Sequence, residues 1–405
     1  MKKNIFIVSC LMLLVSSTIG AQEQNDEQTT KYRRSSIYSM LVRHTEKTFG
    51  NEIMEEYLKL PVPEKYDNHN LNVRLVETTD EKQQEEEITR FLEQNQVAKR
   101  LVAKWFERNK ETGVCDMKLI SERGQYNATD LDVRLARKTA RGVATLSDAG
   151  EELIANTFIM VNDIRYVDKE NTSKAFGMGI RLLGSVATIA TGVNFSDMGD
   201  NVAALAENIK GFKVIVNSYL YKLEWNDDIA NKFYAQYYLD GPDKVKAEEF
   251  LKDTGTFKLK FIGKQTVRSN KTTMSSNYEP ADMIRKVVCR ALDESVLELQ
   301  RSFDVFKVKT PLYGVNGKEV YAQVGLKEGV SQESKYEVLE KNLDESTGKT
   351  TYKRVGVIEP VSGKIWDNRY MAAEDQTLNS KLKYTTFKKV SGSDFFEGML
   401  IREIK

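Results

Sequence analysis

The sequence predicts an α+β protein in which a mixed α/β sandwich core precedes a small all-β region of the barrel type, SH3-like or OB-like. Two β-rich runs, residues 157–167 and 212–225, have the composition of strands in a central sheet. An apolar stripe at helical spacing between Ile284 and Leu299 predicts a long helix that packs on this sheet. Past Val305 the pattern changes to short β-forming runs separated by glycines. A chain of 405 residues, 40% of them apolar, can build two or three such units.

The first 21 residues have the pattern of a secretory signal peptide. Lys2 and Lys3 form a basic start, residues 5–15 are apolar, and small residues up to Ala21 offer a cleavage site. Cleavage before Cys10, as in a lipoprotein, would leave almost no apolar run ahead of the cut, so lipidation is the less favoured alternative. We therefore expect an exported protein, located in the periplasm or associated with the outer membrane.

The charge of the chain gives no support to a nucleic-acid-binding function. It contains 60 Lys and Arg against 59 Asp and Glu, and removal of Lys2 and Lys3 with the leader would change the formal charge from +1 to −1. Nucleic-acid-binding proteins use an excess of basic residues to contact phosphates. We expect no nucleic-acid partner.

Residues 22–70 are expected to form a polar leader and a helical region, and residues 71–305 the α/β core. In the helical region one helical face would carry Ile37, Met40, Leu41 and His44, and a second one Ile53, Tyr57 and Leu60. The core would begin with a short alternating strand at residues 71–76. A helical stretch from Asp80 to Trp105 would follow, with acidic residues in its first turns, where the helix dipole favours them.

The remaining core elements follow the same two periodicities. Helices are expected at residues 117–126, 130–141, 147–155, 200–210, 227–239 and 243–252. A strand is expected at residues 257–267 and a polar loop at 269–276. The long helix would start at Pro280, because proline is tolerated in the first turn of a helix.

Residues 310–405 are expected to form the all-β region, with the boundary at residues 309–311. Strands are expected at residues 318–324, 335–339, 350–357, 384–388 and 399–401.

An apolar, glycine-rich insert, residues 174–196, separates the two central strands. It carries no charge from Leu182 to Ser196, so it must be covered by a core, a partner subunit or a lipid bilayer. Small residues recur at four-residue spacing at Gly184, Thr188 and Gly192, which favours a closely packed helix. The residues expected to make interface or membrane contacts are Phe176, Met178, Ile180, Leu182, Leu183, Gly184, Val186, Ile189, Gly192 and Val193.

The sequence contains no recognisable catalytic or metal-binding motif. His44 and His69 stand apart from any cluster of Cys or His with zinc-ligand spacing, and no nucleophile or phosphate-binding loop motif occurs. We expect a protein that is not an enzyme and uses no cofactor or metal. Cys115 and Cys289 remain after the leader is removed, and they could form a disulfide or stay as buried free thiols.

The order of features resembles the curli secretion-channel (CsgG-like) family of exported envelope proteins. The resemblance lies in residues 153–167 and 213–223 as sheet strands, in the glycine-rich segment 174–197 between them, and in residues 278–299 as a long helix entered through Glu-Pro. It implies an α/β core, oligomeric rings and transmembrane β-hairpins. The sequence departs from the family because Cys10 is poorly placed for lipidation and the insert does not alternate as barrel strands do.

These observations together predict a non-enzymatic cell-envelope protein for assembly, secretion or scaffolding. Its partners would be envelope proteins, including further copies of itself, with outer-membrane contact through the insert as one option. The alternative is a periplasmic hydrolase or a protein that binds carbohydrate or peptidoglycan. For the binding alternative, Tyr219, Tyr221 and Trp225 on one strand face could contact a sugar, or they could simply pack under a helix.

Overall fold

The computed structural model describes residues 35–44, 47–126, 150–169, 210–273, 279–343, 350–369 and 379–404, together with Val133, Arg137, Asn277 and Ala372. Helices and strands are both abundant, and the strands form two separate sheets. This confirms the α+β class. The expected signal peptide, most of the helices expected at 130–141 and 200–210, and the insert lie outside the described residues.

A mixed sheet forms the centre of the first part of the chain. Its strand order is β2–β1–β4–β5–β6, and β3 also pairs with β1. The strands are β1 (Ser36–Val42), β2 (Asp67–Asn68), β3 (Leu75–Val76), β4 (Thr157–Asp168), β5 (Lys210–Leu223) and β6 (Leu259–Thr273). β1 runs parallel to β2, β3 and β4, whereas the β4–β5 and β5–β6 pairs are antiparallel.

Helices cover one face of this sheet and build the larger core. They are α2 (Gln84–Gln94), α3 (Val97–Trp105), α4 (Lys118–Tyr126), α5 (Asp227–Lys232, continued by a π turn at Phe233–Tyr237) and α6 (Lys244–Lys252). Trp105 is fully buried and its indole N–H donates to the Thr157 hydroxyl at 2.8 Å. The Asn226 and Asp243 side chains cap α5 and α6 by accepting backbone N–H groups of the first turn.

Two helices cover the opposite face, so the core is a three-layer α/β/α sandwich. They are α1 (Gly50–Lys59) and α7 (Pro280–Ser302), and Pro280 occupies the first turn as expected. The apolar stripe of α7 packs on Val214, Val216 and Val267 of the sheet. This confirms the long C-terminal helix and its contact with the sheet.

The helix expected around Ile37, Met40 and Leu41 is wrong, because these residues form strand β1. All seven β1 residues are buried, since the strand lies inside the sheet with helices on both sides. A strand that is apolar on both faces loses its alternation, and a short apolar run cannot then be distinguished from a helix. The second expected helix, with Ile53 and Tyr57, is confirmed as α1.

Other differences concern where elements end. The strand expected at 71–76 pairs only at Leu75–Val76. The helical stretch from Asp80 to Trp105 divides at Gln96, which has a left-handed φ of 48°. The helix expected at 147–155 is a 3-10 helix at Glu151–Asn156 within its described part. The prediction of a loop at 269–276 is wrong for residues 269–273, which belong to β6. This strand continues to Thr273 because β5 pairs with it along its whole length.

The second part of the chain closes into a β-barrel with the strand order β10–β11–β8–β7–β12–β9. Its strands are β7 (Thr310–Asn316), β8 (Glu319–Ala322), β9 (Tyr336–Leu343), β10 (Thr350–Pro360), β11 (Thr385–Gly392) and β12 (Leu400–Glu403). Inward side chains, among them Val320, Ile358 and Phe387, are fully buried. Whether these residues fold as an independent domain stays a prediction.

The barrel contacts α7 through polar groups. Lys327 Nζ lies 3.3 Å from Asp293 Oδ1, and Arg301 Nη2 donates to the Gly329 carbonyl at 3.0 Å. Within the part of the chain that is described, no helix is both long and apolar enough to cross a membrane.

Candidate contact site at one end of the sheet

The insert is attached at one end of the central sheet, between two strands that lie side by side. β4 and β5 stay paired up to Asp168 and Phe212, so residues 170–209 leave and re-enter the sheet at the same end. The strand ends Asp168, Lys210 and Thr273 lie together there, and we call this the insert end. All ten predicted contact residues, from Phe176 to Val193, fall in the undescribed segment.

Three aromatic rings pack under the insert end. Phe49 lies 5.8 Å from Tyr166 and 5.2 Å from Phe212, and Tyr166 lies 5.9 Å from Phe212, all in edge-to-face geometry. The Phe49 backbone N–H also donates to the Tyr166 hydroxyl at 3.0 Å. Such edge-to-face pairs stabilise beyond the area that they bury. The ends of β4 and β5 are therefore supported by closely packed aromatic side chains.

A buried carboxylate in the middle of β4 joins this strand to β5 and to the segment that follows β1. His44 Nε2 lies 2.7 Å from Asp163 Oδ1, and Arg165 Nη2 lies 2.9 Å from Asp163 Oδ2. Asn217 of β5 contacts the second oxygen at 3.5 Å. Burial alone would raise the pKa of Asp163, but the His44 hydrogen bond and the Arg165 charge outweigh it and hold the pKa below its usual value. Asp163 is thus an ionised, paired group.

Sequence reasoning missed this carboxylate, although a signal for it was present. Asn162 and Asp163 interrupt an otherwise apolar strand, and a charged group in a buried strand requires a partner. The partners Arg165 and Asn217 come from the same strand and the neighbouring one, whereas His44 comes from beyond β1, which the sequence did not predict as a strand.

A cavity of about 180 Å³ opens beside these residues, between β1, β4 and the start of α1. Its lining combines the basic residues Arg43, His44, Lys47 and Arg165 with apolar ones, and Arg43 is itself paired with Glu77 at 3.0 Å. Small-molecule sites usually exceed about 300 Å³. The cavity can hold a side chain or a small ion, but it is too small for a typical substrate.

A larger cavity of about 390 Å³ lies on the helical face near the beginning of β6. Apolar and aromatic side chains dominate it, including Leu92, Phe257 and Phe261. At its floor the hydroxyls of Thr89 and Tyr221 lie 2.9 Å apart, and burial raises the pKa of Tyr221 to about 12. No reactive pair of side chains accompanies these groups among the described lining residues.

The tyrosines proposed for sugar contact belong to the core. Tyr219 and Tyr221 are 2% and 1% exposed, and Trp225 packs against the same cluster. The alternative, that the side chains of this strand face pack under helices, is confirmed. Tyr221 borders the cavity of about 390 Å³, but its side chain is almost wholly covered.

His69 and both cysteines are structural groups. His69 is stacked on Trp105 with ring centres 4.7 Å apart, and burial and the Arg123 charge hold its pKa well below the usual value. Cys115 and Cys289 are buried free thiols. Cys115 belongs to the core on the α3 face, whereas Cys289 lies on α7 across the sheet, which rules out a bond between them.

Metal ligands do not come together in the described residues, where no group of three or more His, Cys, Asp and Glu side chains could hold an ion.

No protein-family model matches this chain, and no curated protein is significantly similar to it.

Proposed function

We propose that this chain is an exported cell-envelope protein that acts without catalysis, in assembly, secretion or scaffolding. The contact element is the apolar insert, which the α/β/α core presents from one end of its sheet. Further copies of the chain and other envelope proteins are the partners, and the outer membrane is a second surface that the insert can meet.

The observation that carries this proposal is the attachment of the insert to two directly paired strands. The β4–β5 pair is in register up to Asp168 and Phe212, and the described cores on both faces are closed by their own helices. An apolar segment that joins adjacent strand ends can be exchanged or extended without disturbing those cores. Because residues 182–196 of this segment carry no charge, they require cover from another molecule or from lipid.

The resemblance to curli secretion channels supports the same function. The two segments that resemble the strands around that family's insertion are neighbours in the sheet, and the segment that resembles its long helix packs on the second of them, β5, and on β6. The poorly placed lipidation signal and the non-alternating insert favour a contact role over a pore.

Deletion of residues 174–196, with a short Gly-Ser connection in their place, tests the proposal. Because the flanking strands are already paired, a short connection can close them and the core should remain folded. We expect the purified mature variant to be monomeric and to lose binding to envelope membranes, whereas the intact chain forms oligomers or partitions with membrane. Light scattering after size-exclusion chromatography and membrane flotation measure these two properties.

The matched control replaces residues 344–349, between β9 and β10 of the barrel, by a Gly-Ser connection of equal length. This variant should keep the oligomeric state and membrane partition of the intact chain. A folded insert deletion that assembles and partitions like the intact chain would contradict the proposal.

A further inference from the structure

β6 forms a free edge of the central sheet. It lies last in the strand order, and its inner side pairs with β5 from Leu259 to Thr273. The opposite edge is different, because β2 and β3 pair with the outer side of β1. No described strand pairs with the outer side of β6, so its outward N–H and C=O groups as far as residue 272 can meet an added strand.

This edge is unusually long for one that is left open. β6 has 15 residues, whereas proteins usually keep free edges short or interrupt them, since an open edge recruits other strands. A register shift opposite Leu220 and Tyr221 interrupts β6 near Gly263. The run from residue 264 to residue 273 continues in regular register beyond it, as far as the insert end.

The open edge carries positive charge only. Its sequence contains Lys260, Lys264, Arg268 and Lys271 and no acidic residue, and all four are exposed. Lys264 and Arg268 are four residues apart and therefore project from the same face of the strand. An added strand would find basic side chains on both faces beyond the register shift.

This charge makes a second copy of β6 a poor added strand. Pairing two identical edges would bring together two strands that carry only basic charges, with no acidic partner for any of them, and like charges close to one another across a strand pair are destabilising. Acidic side chains on the incoming strand would instead meet a basic neighbour on each face.

We propose that β6, over residues 264–272, binds an extended acidic segment of a partner protein as an additional strand. Main-chain hydrogen bonds to the open edge hold the segment, and its carboxylates pair with Lys264, Arg268 and Lys271. This is recognition by β-strand addition, in which the edge supplies affinity and the side chains supply selectivity. It does not depend on the role proposed for the insert.

The probe is a labelled, end-capped decapeptide in which Glu alternates with Val, so that all its carboxylates lie on one strand face and can pair with Lys264 and Arg268. It is titrated into the mature full-length protein at low salt. We expect saturable binding by fluorescence anisotropy and slower amide hydrogen exchange in residues 264–272. Combining Lys264→Glu with Arg268→Glu should weaken binding at least about tenfold, because two favourable pairs become repulsive. The matched control, Lys381→Glu with Lys383→Glu, changes the charge equally at two exposed residues of the barrel part and should leave binding unchanged.

A second peptide separates strand pairing from simple charge attraction. It has the same side chains, but every backbone nitrogen is methylated, so neither of its edges can donate main-chain hydrogen bonds to β6. We expect this peptide not to bind. Equal binding of both peptides, no binding of either, or protection outside β6 would each overturn the proposal, and circular dichroism checks that the charge variants are folded.

Discussion

At the scale of single residues, Asp163 is a charged group buried in the middle of β4. Its side chain is 1% exposed and joins the residue after β1 to β4 and β5 through His44, Arg165 and Asn217. A buried charge of this kind stabilises only while its partners remain in place, because an unpaired buried charge is costly.

We predict that Asp163→Asn lowers the free energy of unfolding at pH 7 by about 2 kcal/mol, as expected when a buried charge pair is lost. The folded-state pKa of Asp163 lies below the unfolded value. Its stabilisation is therefore complete above the unfolded pKa of about 4 and is lost as pH falls through the lower folded pKa. Urea titrations at several pH values should show the two proteins converging in acid.

The control for this prediction is Asp394→Asn, at a side chain that is 94% exposed. It should change stability little at any of these pH values. A difference between the intact chain and Asp163→Asn that stays constant down to pH 2 would show that the effect comes from packing and not from charge.

At the scale of elements, α7 is held on the sheet by a buried polar chain as well as by apolar packing. The hydroxyls of Ser218 on β5 and Ser295 on α7 lie 2.6 Å apart, and the Ser218 hydroxyl also donates to Asn162 Oδ1 at 2.6 Å. The Asn162 amide donates onward to the Tyr57 hydroxyl of α1 at 3.0 Å. Both helices on this face are therefore connected to the centre of β4.

We predict a coupling free energy of about 1 kcal/mol between Ser218→Ala and Ser295→Ala in a double-mutant cycle, the usual contribution of a buried hydrogen bond. Chemical denaturation of the four proteins measures it. Ser295→Ala combined with Thr351→Ala, on an exposed residue of β10, should give purely additive changes. Additivity of the Ser218 and Ser295 substitutions would contradict the proposed connection.

The sequence predicted those helices and strands whose apolar residues recur with a clear period. It failed where burial on both faces of a strand removed that period. α7 was predicted from its apolar stripe and Pro280, and β4 and β5 from their β-forming residues. β1 was mistaken for a helix because it is buried on both faces. The end of β6 was mistaken for a loop because an edge strand tolerates the polar residues Ser269, Asn270 and Thr272.

The candidate site was only partly predictable for a different reason. The sequence identified the apolar insert and its flanking strands, which are local features. The pairing of Asp163 with His44 joins residues far apart in the sequence, and the open edge at β6 depends on strand order. Neither property is encoded by a local period.

At the scale of the whole molecule, the core and the barrel are each closed around their own apolar cluster. They meet along α7, where Asp293 and Arg301 contact Lys327 and Gly329 of the barrel part. The insert end and the open edge β6 share the strand end at Thr273. The molecule thus joins a helix-covered sheet to a closed barrel, and the two proposed contact elements share one end of the sheet.

Hydrogen exchange of residues 174–196 in the assembled, full-length mature protein tests the central claim most directly. The insert as a contact element should exchange slowly in the assembled protein, because the contact covers its backbone, and should exchange faster after dilution or mild detergent separates the copies. Rapid exchange of the insert in the assembled protein, at the rate of an unprotected peptide, would contradict the claim.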